Sequence, residues 1–349
     1  MIDIRTLTDG GQAAIETAAT VADFLEDARR SLDLAQYDFH LAPETAAIVG
    51  GAITKAATRG VVVRIAYNID HRNPIPVPPP PEPDVQLIAS LGVPSKGIAG
   101  VPDLMHHKYV VRDGDAVWTG SMNWTDDSFS RQENILVTVR SAEVAAAYTA
   151  DFEQLWQTGI VEKSGFVEPR TIGLDRTPVR VWFTPGYGED LSARIARAIG
   201  RAKRRVRIAS PVITTGPVLG TLAQVVADDR VDIAGVVDQT QVRGVVYQWS
   251  ENGNISWKLP LLRAALARGF TGKLSTPWQP EGSLHDFMHA KVTVADDIVF
   301  AGSFNLSRSG EMNAENVLEI ESPELADRLA AYIDQIRVLY PDVVLEQTR

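Results

Sequence analysis

The chain of 349 residues carries one arrangement of residues twice. In each copy a histidine is followed two positions later by a lysine, and five positions after that by an aspartate. The copies are His106, Lys108 and Asp113, and then His289, Lys291 and Asp296. The histidines lie 183 positions apart, and a glycine and a glutamate that follow each of them recur after 182 positions. A repeat this regular predicts two halves with the same fold.

The segments around the motifs repeat as well. In the first half SLDLAQYDFHL alternates like a strand, ETAAIVGGAITKAATRG has the pattern of a helix ending on Gly60, and VVVRIAYNID is typical of a buried strand. The second half follows with RRVRIASPVI, PVLGTLAQVVADD and VDIAGVVDQT. Strand, helix and strand in this order predict an α/β sandwich in each half. We place the boundary between about 160 and 178, which predicts domains of residues 1–165 and 166–349.

Composition excludes several classes of protein. There are no cysteines, which excludes disulfides, thiolate zinc sites and cysteine nucleophiles. No long uncharged apolar run could span a bilayer, and the N-terminus lacks the basic and apolar regions of a secretory signal, so we expect a cytoplasmic protein without a transmembrane segment. The net charge of -10 disfavours a general polyanion binder, although a local basic cleft is compatible with it. The basic run from Arg201 to Arg207 is interpreted as a solvated helix end rather than a nucleic-acid patch.

The spacing of the motif decides which of two adjacent histidines faces the site. Residues two apart on a strand point to the same face, so His106 shares a face with Lys108, whereas His107 points away and is expected to be a packed or surface residue. Each motif strand is followed by a second element ending in Gly-Ser-x-Asn, which is typical of a turn that approaches a ligand closely. Ten residues beyond each asparagine comes a Glu-Asn pair, at Glu133 and at Glu315.

The two motifs together supply two imidazoles, two ammonium groups, two amides and two carboxylates. One imidazole can attack a phosphodiester phosphorus while the other protonates the leaving oxygen, and the lysines and asparagines can neutralise the phosphate oxygens. A carboxylate behind an imidazole would fix its tautomer. This scheme needs no metal and no other cofactor. A metal site is the alternative, but a lysine beside each histidine opposes a bound cation.

The doubled His-x-Lys-x4-Asp motif, each copy followed by Gly-Ser-x-Asn, resembles that of the phospholipase D superfamily. The resemblance covers nearly the whole chain. It implies two pseudo-twofold related α/β sandwich halves, with mixed sheets flanked by helices and one active site at the seam, and a covalent phosphohistidine.

The resemblance also implies a role for each motif residue. His106 is then the nucleophile and His289 the general acid. The phosphate-binding positions are Lys108, Lys291, Asn123 and Asn305, the supporting hydroxyls are Ser121 and Ser303, and the carboxylates that orient the histidines are Glu133 and Glu315. We expect Asp113 and Asp296 to be structural, because five residues after a strand lysine they leave the face of the site.

Two loops precede the motifs. The proline-dense run NPIPVPPPPEP, residues 73–83, is interpreted as a stiff connector, with a ligand for a proline-reading domain as the alternative. Its counterpart, residues 239–282, carries Tyr247, Trp249, Trp257 and Trp278, which are interpreted as the lining of a substrate mouth. The alternative is that Trp257 belongs to a helix core with Leu259, Leu261 and Leu262. His285 is expected in a surface loop, the alternative being a place in the cleft.

The substrate class has to come from the residues, since one fold hosts many functions. Our preferred interpretation is a phosphodiesterase, possibly also a transphosphatidylase, that acts on phospholipid-like diesters. The alternative is a nuclease for DNA or RNA, and a noncatalytic phosphate-binding module is the third. Both half-sites lie on one chain, so we expect an active monomer without an obligate protein partner.

Overall fold

The computed structural model describes residues 1–70, 83–276 and 285–345. Its first half consists of nine strands and five helices within those ranges. The strands are β1 Ile2–Leu7, β2 Ser31–Gln36, β3 Phe39–His40, β4 Val62–Ile69, β5 Ser95–Ala99, β6 Lys108–Arg112, β7 Ala116–Gly120, β8 Trp124–Thr125 and β9 Gln132–Arg140. The helices are α1 Ala14–Glu26, α2 Pro43–Thr58, α3 Val85–Ser90, α4 Asp126–Ser130 and α5 Ala142–Thr158.

The second half follows a similar order with one more helix before its motif. The strands are β10 Thr171–Leu174, β11 Thr177–Thr184, β12 Arg205–Ser210, β13 Asp232–Asp238, β14 Phe270–Lys273, β15 Phe287–Met288, β16 Val292–Ala295, β17 Ile298–Gly302 and β18 Glu315–Glu321. The helices are α6 Gly188–Arg201, α7 Gly216–Asp228, α8 Gln239–Glu251, α9 Leu259–Ala265, α10 Arg308–Met312 and α11 Pro323–Arg337. Short 3₁₀ turns cover Val161–Lys163 and Ser256–Lys258.

The strands form two large mixed sheets and a small two-stranded sheet of β3 and β8. The first has the order β1-β9-β7-β6-β2-β4-β5, and β15 from the second half adds to β9. The second has the order β10-β11-β18-β17-β16-β12-β13-β14. In both, two parallel strands (β2 with β4, β12 with β13) continue into an antiparallel ladder whose first members are the motif strands β6 and β16. The predicted α/β fold of two related halves with mixed sheets flanked by helices is confirmed.

Buried residues form three clusters that define the layers. One lies between the first sheet and α1 and α2, and another between the second sheet and α6 to α9. The third lies between the sheets and includes Tyr148 of α5 and Ile333 of α11. Because both sheets turn a face to this central cluster, the seam between the halves is packed with buried side chains like the core of a single domain.

Helix α2 shows how local sequence produces one of these elements. Pro43 stands in its first turn, where a missing amide costs nothing, and Val49, Ile53 and Ala56 recur at helical spacing on the buried side. Gly60, at φ +90°, follows the last turn and reverses the chain into β4. The helix thus ends where the sequence predicts.

The interpretation of residues 239–282 as a long loop is wrong for the part that the structure describes. Helices α8 and α9 and strand β14 occupy most of it, because Val242, Val246 and Trp249 repeat at helical spacing and pack into the second outer cluster. Trp249 is buried and is therefore a core residue, not a substrate contact. Trp257 is exposed, with the ammonium of Lys258 over its ring. Trp278 lies outside the described residues, as does all of the proline-dense run except Pro83.

The basic run after α6 is tied to carboxylates. Arg204 pairs with Asp297, and Arg207 pairs with Asp334 at 2.9 Å. No helix in the described ranges combines the length and apolarity needed to cross a membrane. The first sheet takes its own strands from residues up to 140 and the second from residue 171 onward, while the domain limits at 165 and 166 stay a prediction.

The motif aspartates lie away from the histidines and organise a turn in each half. Asp113, at φ +55°, accepts hydrogen bonds from the amides of Arg29, Arg30 and Ser31, which lead into β2. Asp296, at φ +52°, does the same for residues 203–205 before β12. Partial burial raises the pKa of each of these carboxyls, but the hydrogen bonds from the amides outweigh it and hold the pKa below its usual value.

We predict that Asp113→Ala lowers the free energy of unfolding by roughly 2 kcal/mol, since it removes hydrogen bonds to a charged group and strains a left-handed backbone. Asp113→Asn is the matched control, because asparagine tolerates that backbone and keeps one acceptor. Urea unfolding should rank wild type above Asn and Asn above Ala, with kcat close to wild type in all three. A large loss of kcat in folded Asp113→Asn would show that the aspartate serves the chemistry.

Candidate active site

Each motif histidine is held by the half of the chain to which it does not belong. Met105 forms a parallel bridge with Ala314, and the amide of His106 donates to the carbonyl of Ala314 at 2.9 Å. In the other direction β15, which ends one residue before His289, pairs in parallel with the start of β9. These two crossings bring the motifs together at the seam.

His106 is oriented by a carboxylate. Its Nδ1 lies 2.7 Å from Oε1 of Glu315, and the two side chains are almost completely buried. The ring of Tyr37 packs 4.5 Å from the imidazole, centroid to centroid. When Nδ1 holds the proton of this hydrogen bond, the lone pair of the neutral ring lies on Nε2.

His289 is oriented by an amide instead. Its Nδ1 lies 3.2 Å from Oδ1 of Asn134. The amide orientation of Asn134 is fixed, because its Nδ2 donates to the carbonyl of Ser128 and its Oδ1 accepts from Ser121 Oγ. Sequence reasoning placed Glu133 in this role, and the structure corrects it.

A shift of one residue in strand register explains the correction. In the first sheet Gly120 stands opposite Leu136, whereas in the second sheet Gly302 stands opposite Val317. The structural counterpart of Glu315 is therefore Asn134, even though Glu133 has the same spacing from its glycine in the sequence. A slip of one residue turns a side chain to the other face of a strand.

Glu133 belongs to a separate buried network. Lys273 donates to it at 3.0 Å, and the hydroxyl of Tyr340 also donates to it. Asp9 completes the group with an ion pair to Lys273 at 3.1 Å. Burial raises the pKa of Glu133 against the effect of Lys273. This carboxylate links β9, β14 and the segment after α11 rather than orienting a histidine.

The two motif lysines have the same geometry. Nζ of Lys108 donates to the carbonyl of His106 and Nζ of Lys291 to that of His289, each at 2.7 Å. Lys108 also lies over the ring of Tyr37 at 4.6 Å. Burial lowers the pKa of Lys108 to about 7, although Glu315 opposes the shift. The pKa of Lys291 falls well below its usual value because of burial and the charge of Lys108.

The charges of the two halves act on one another. Burial holds the pKa of His106 well below its ordinary value, and Lys108 and Lys291 add to the effect. For His289 the cause is again burial, followed by the same two lysines. Burial also raises the pKa of Glu315 to about 8, against the attraction of Lys108. An entering anion would raise the pKa values of the lysines again, because a nearby negative charge favours their charged forms.

The Gly-Ser-x-Asn turns hold amides that the fold does not use. Oδ1 of Asn123 and Oδ1 of Asn305 are buried, and neither has a hydrogen-bond partner among the described residues. Ser121 and Ser303 accept from the amides of Ile135 and Asn316, which ties each turn to the strand behind it. A Cβ on Gly120 would lie 2.1 Å from the carbonyl oxygen of Ile135, so only glycine permits this approach.

His107 points away from the site, as the strand pattern predicts, and is fully buried. Its Nε2 lies 3.0 Å from Asp151, and its Nδ1 lies 3.3 Å from the amide nitrogen of Asn316. Asn316 in turn accepts from Thr119 at 2.7 Å. His107 is thus a seam residue.

Sequence reasoning missed the residues that position the histidine segments. Asn68 accepts from the amide of Met105 at 3.0 Å, and Asp238 accepts from that of Met288 at 3.3 Å. Each stands at or near the end of a buried parallel strand, β4 or β13, which is the one sequence signal that could have marked it. His285 is near the rim: its ring stacks on Phe287, and its carbonyl accepts from Gln132.

No cluster of three or more His, Asp or Glu side chains in the described ranges is arranged to hold a metal ion. What the site offers instead is two buried imidazoles, two buried lysine side chains and two amides without hydrogen-bond partners among the described residues. This arrangement can bind an anion and transfer protons on either side of it.

Comparisons with known proteins identify the family to which the chain belongs. The family model described as "Cardiolipin synthase, PLD-like domain" matches residues 21–156 and 195–337. A mitochondrial cardiolipin hydrolase of Xenopus tropicalis is 34% identical over 131 residues, which is 37% of this chain and 56% of that protein. One of Xenopus laevis is 50% identical over 54 residues, or 15% of this chain and 25% of the relative. The chain thus spans about half the length of these relatives or less.

A solved structure supplies the comparison of folds. Phosphatidylserine synthase of Haemophilus influenzae superposes with a TM-score of 0.63 and 13% identity, covering 96% of this chain and 86% of that one. Identity this low carries the fold alone. Because the family model matches both halves across the doubled motif, the protein belongs to the phospholipase D superfamily.

Proposed function

We propose that this protein is a phosphodiesterase of phospholipase D type that hydrolyses phospholipid-like diesters through a covalent phosphohistidine. The observation that carries the proposal is the buried centre at the seam. There His106 contacts Glu315 and His289 contacts Asn134, and the charges of Lys108 and Lys291 act on both histidines. These polar side chains are almost completely buried, which costs free energy unless a ligand provides compensating hydrogen bonds and charge.

The proposed reaction has two steps. Nε2 of His106 attacks phosphorus, the bond from phosphorus to the leaving oxygen breaks, and that oxygen takes a proton from His289. Water then gives a proton to His289 and attacks the phosphohistidine, which frees His106 and releases a phosphomonoester. The two lysines and the amides of Asn123 and Asn305 neutralise the phosphate oxygens throughout. An alcohol in place of water would give transfer.

The unequal partners of the histidines support this assignment of roles. A phosphorylated imidazole gains positive charge, which the carboxylate of Glu315 stabilises behind His106. The neutral amide of Asn134 gives less support to a cationic His289, so its proton is released more readily to a leaving oxygen. His106 is therefore favoured as the nucleophile and His289 as the acid.

The lipid substrate rests on the family and the relatives. The matching family model names a cardiolipin synthase, and the curated relatives are cardiolipin hydrolases. The net charge of -10 disfavours a nucleic-acid substrate. Both half-sites belong to one chain, so we also propose that a monomer is active.

We predict that the protein hydrolyses bis(p-nitrophenyl) phosphate in the presence of EDTA, since its own residues supply every group of the scheme. Release of p-nitrophenolate, with and without EDTA, is the measurement. Activity lost in EDTA and restored by magnesium would contradict the mechanism. Phosphatidylcholine vesicles compared with single-stranded and duplex DNA at low salt then test the substrate class, and cleavage of DNA alone would overturn the lipid proposal.

We predict that His106→Ala abolishes turnover, whereas His107→Ala lowers the free energy of unfolding by about 1–3 kcal/mol, because it removes a buried ring beside Asp151 and leaves the amide of Asn316 short of a buried partner. This loss of stability is larger than we expect from the sequence, which predicts only a packed or surface residue at His107. If His107→Ala does not fold, His107→Gln retains a polar partner. Turnover by folded His106→Ala would show that the nucleophile is assigned to the wrong residue.

We predict that His289→Ala accumulates a phosphoryl adduct on His106 when the substrate has a good leaving group, because such a group departs without an acid but water still needs a base. Intact and peptide mass spectrometry after rapid quenching would locate the adduct. His106→Ala combined with His289→Ala is the control and should carry none. An adduct on any other residue would exclude the proposed route.

A further inference from the structure

Asp38 is a buried carboxyl beside the proposed phosphate site, and the reaction above does not use it. It follows β2, directly before Phe39 pairs in parallel with Trp124 in the small β3–β8 sheet. Its carbonyl accepts from the amide of Trp124 at 3.0 Å. Asp38 is thus the strand neighbour of Asn123, the asparagine of the first Gly-Ser-x-Asn turn.

The carboxyl of Asp38 lacks a partner that the fold would supply. The residue is only 6% exposed, and its Oδ1 is buried without a hydrogen-bond partner among the residues that the structure describes. An acceptor left in this state costs free energy unless a donor from outside reaches it.

The surroundings of Asp38 keep the carboxyl neutral over a wide range of pH. Burial, together with the charge of Asp127, raises its pKa to about 8, and Lys108 opposes the shift. A neutral carboxyl both donates and accepts one hydrogen bond. This suits an alcohol hydroxyl, which does the same. A substrate ammonium fits less well, because a neutral carboxyl carries no charge to attract it.

Asp38 is also outside the repeated machinery. Ala35 and Ala209 occupy matching places in the two sheets, opposite Tyr109 and Val292, so the counterpart of Asp38 is Val212. A carboxyl in one half and a valine in the other makes the two sides of a pseudo-symmetric site unlike. Such a difference can distinguish the two ester groups of a phosphodiester, which the repeated residues treat alike.

We propose that Asp38 forms a subsite for a free hydroxyl on an alcohol esterified to the substrate phosphate, as in a glycerol head group. The inference rests on the proposed phosphodiesterase activity and adds to it a preference for polyol over hydroxyl-free head groups. The hydroxyl reaches the orphaned Oδ1 while the phosphate lies on Lys108 and Asn123.

A matched pair of soluble substrates tests the subsite without depending on lipids. Glyceryl p-nitrophenyl phosphate and propyl p-nitrophenyl phosphate differ only in the hydroxyls. The readout is the ratio of their kcat/KM values within each variant, so changes common to both substrates cancel. Wild type should favour the glyceryl ester tenfold or more. Asp38→Val, which copies the other half, should bring the ratio to about one.

Asp38→Asn is the control, because its amide also donates and accepts and should keep most of the preference. If Asp38→Val does not fold, Asp38→Ala replaces it. A ratio near one in wild type, or one unchanged in Asp38→Val, overturns the subsite while leaving the phosphodiesterase proposal intact. Turnover of both esters lost in a folded Asp38→Val also overturns it, since the residue then serves the chemistry. No turnover of either ester by wild type would refute the proposed function and the subsite together.

Discussion

The hydrogen bond from His106 to Glu315 joins the two halves of the chain at the point where their chemistry meets. It forms only because the residues before His106 run alongside the start of β18, and the second histidine is held in the same way by β9. Neither half alone contains a histidine together with the group that orients it. The central core of both sheets, with α5 and α11, keeps this pairing in place.

Two lysines beside two histidines form a local concentration of positive charge in a protein whose net charge is -10. Withdrawal of these groups from water lowers their pKa values, so the empty site does not hold four cations against one another. A phosphodiester anion would restore the ammonium forms. Binding of substrate and protonation of the site are therefore coupled. Burial of these polar groups costs free energy, which the apolar contacts of the large central core offset.

The sequence was sufficient for the duplication, the mixed α/β architecture and the orientation of His106 and His107, because strand alternation and fixed spacing depend on local geometry. It was not sufficient for the partner of His289. Glu133 and Glu315 have the same spacing from Gly120 and Gly302, and only the pairing of β7 with β9 reveals a register that differs by one residue. Helix α8 was not predicted, because its aromatic residues favour a substrate mouth in a loop, whereas the spacing of Val242, Val246 and Trp249 is that of a helix face buried in the core.

Because each motif histidine contacts a residue of the other half, the groups of the site emerge at different times during synthesis. Domains commonly begin to fold while synthesis continues from the N-terminus. His106 and Lys108 emerge before Glu315, and Tyr332 of α11 bonds back to the carbonyl of Leu7 in the first strand. A chain interrupted before β18 therefore has Lys108 in contact with Tyr37 but lacks the carboxyl group that lies against His106.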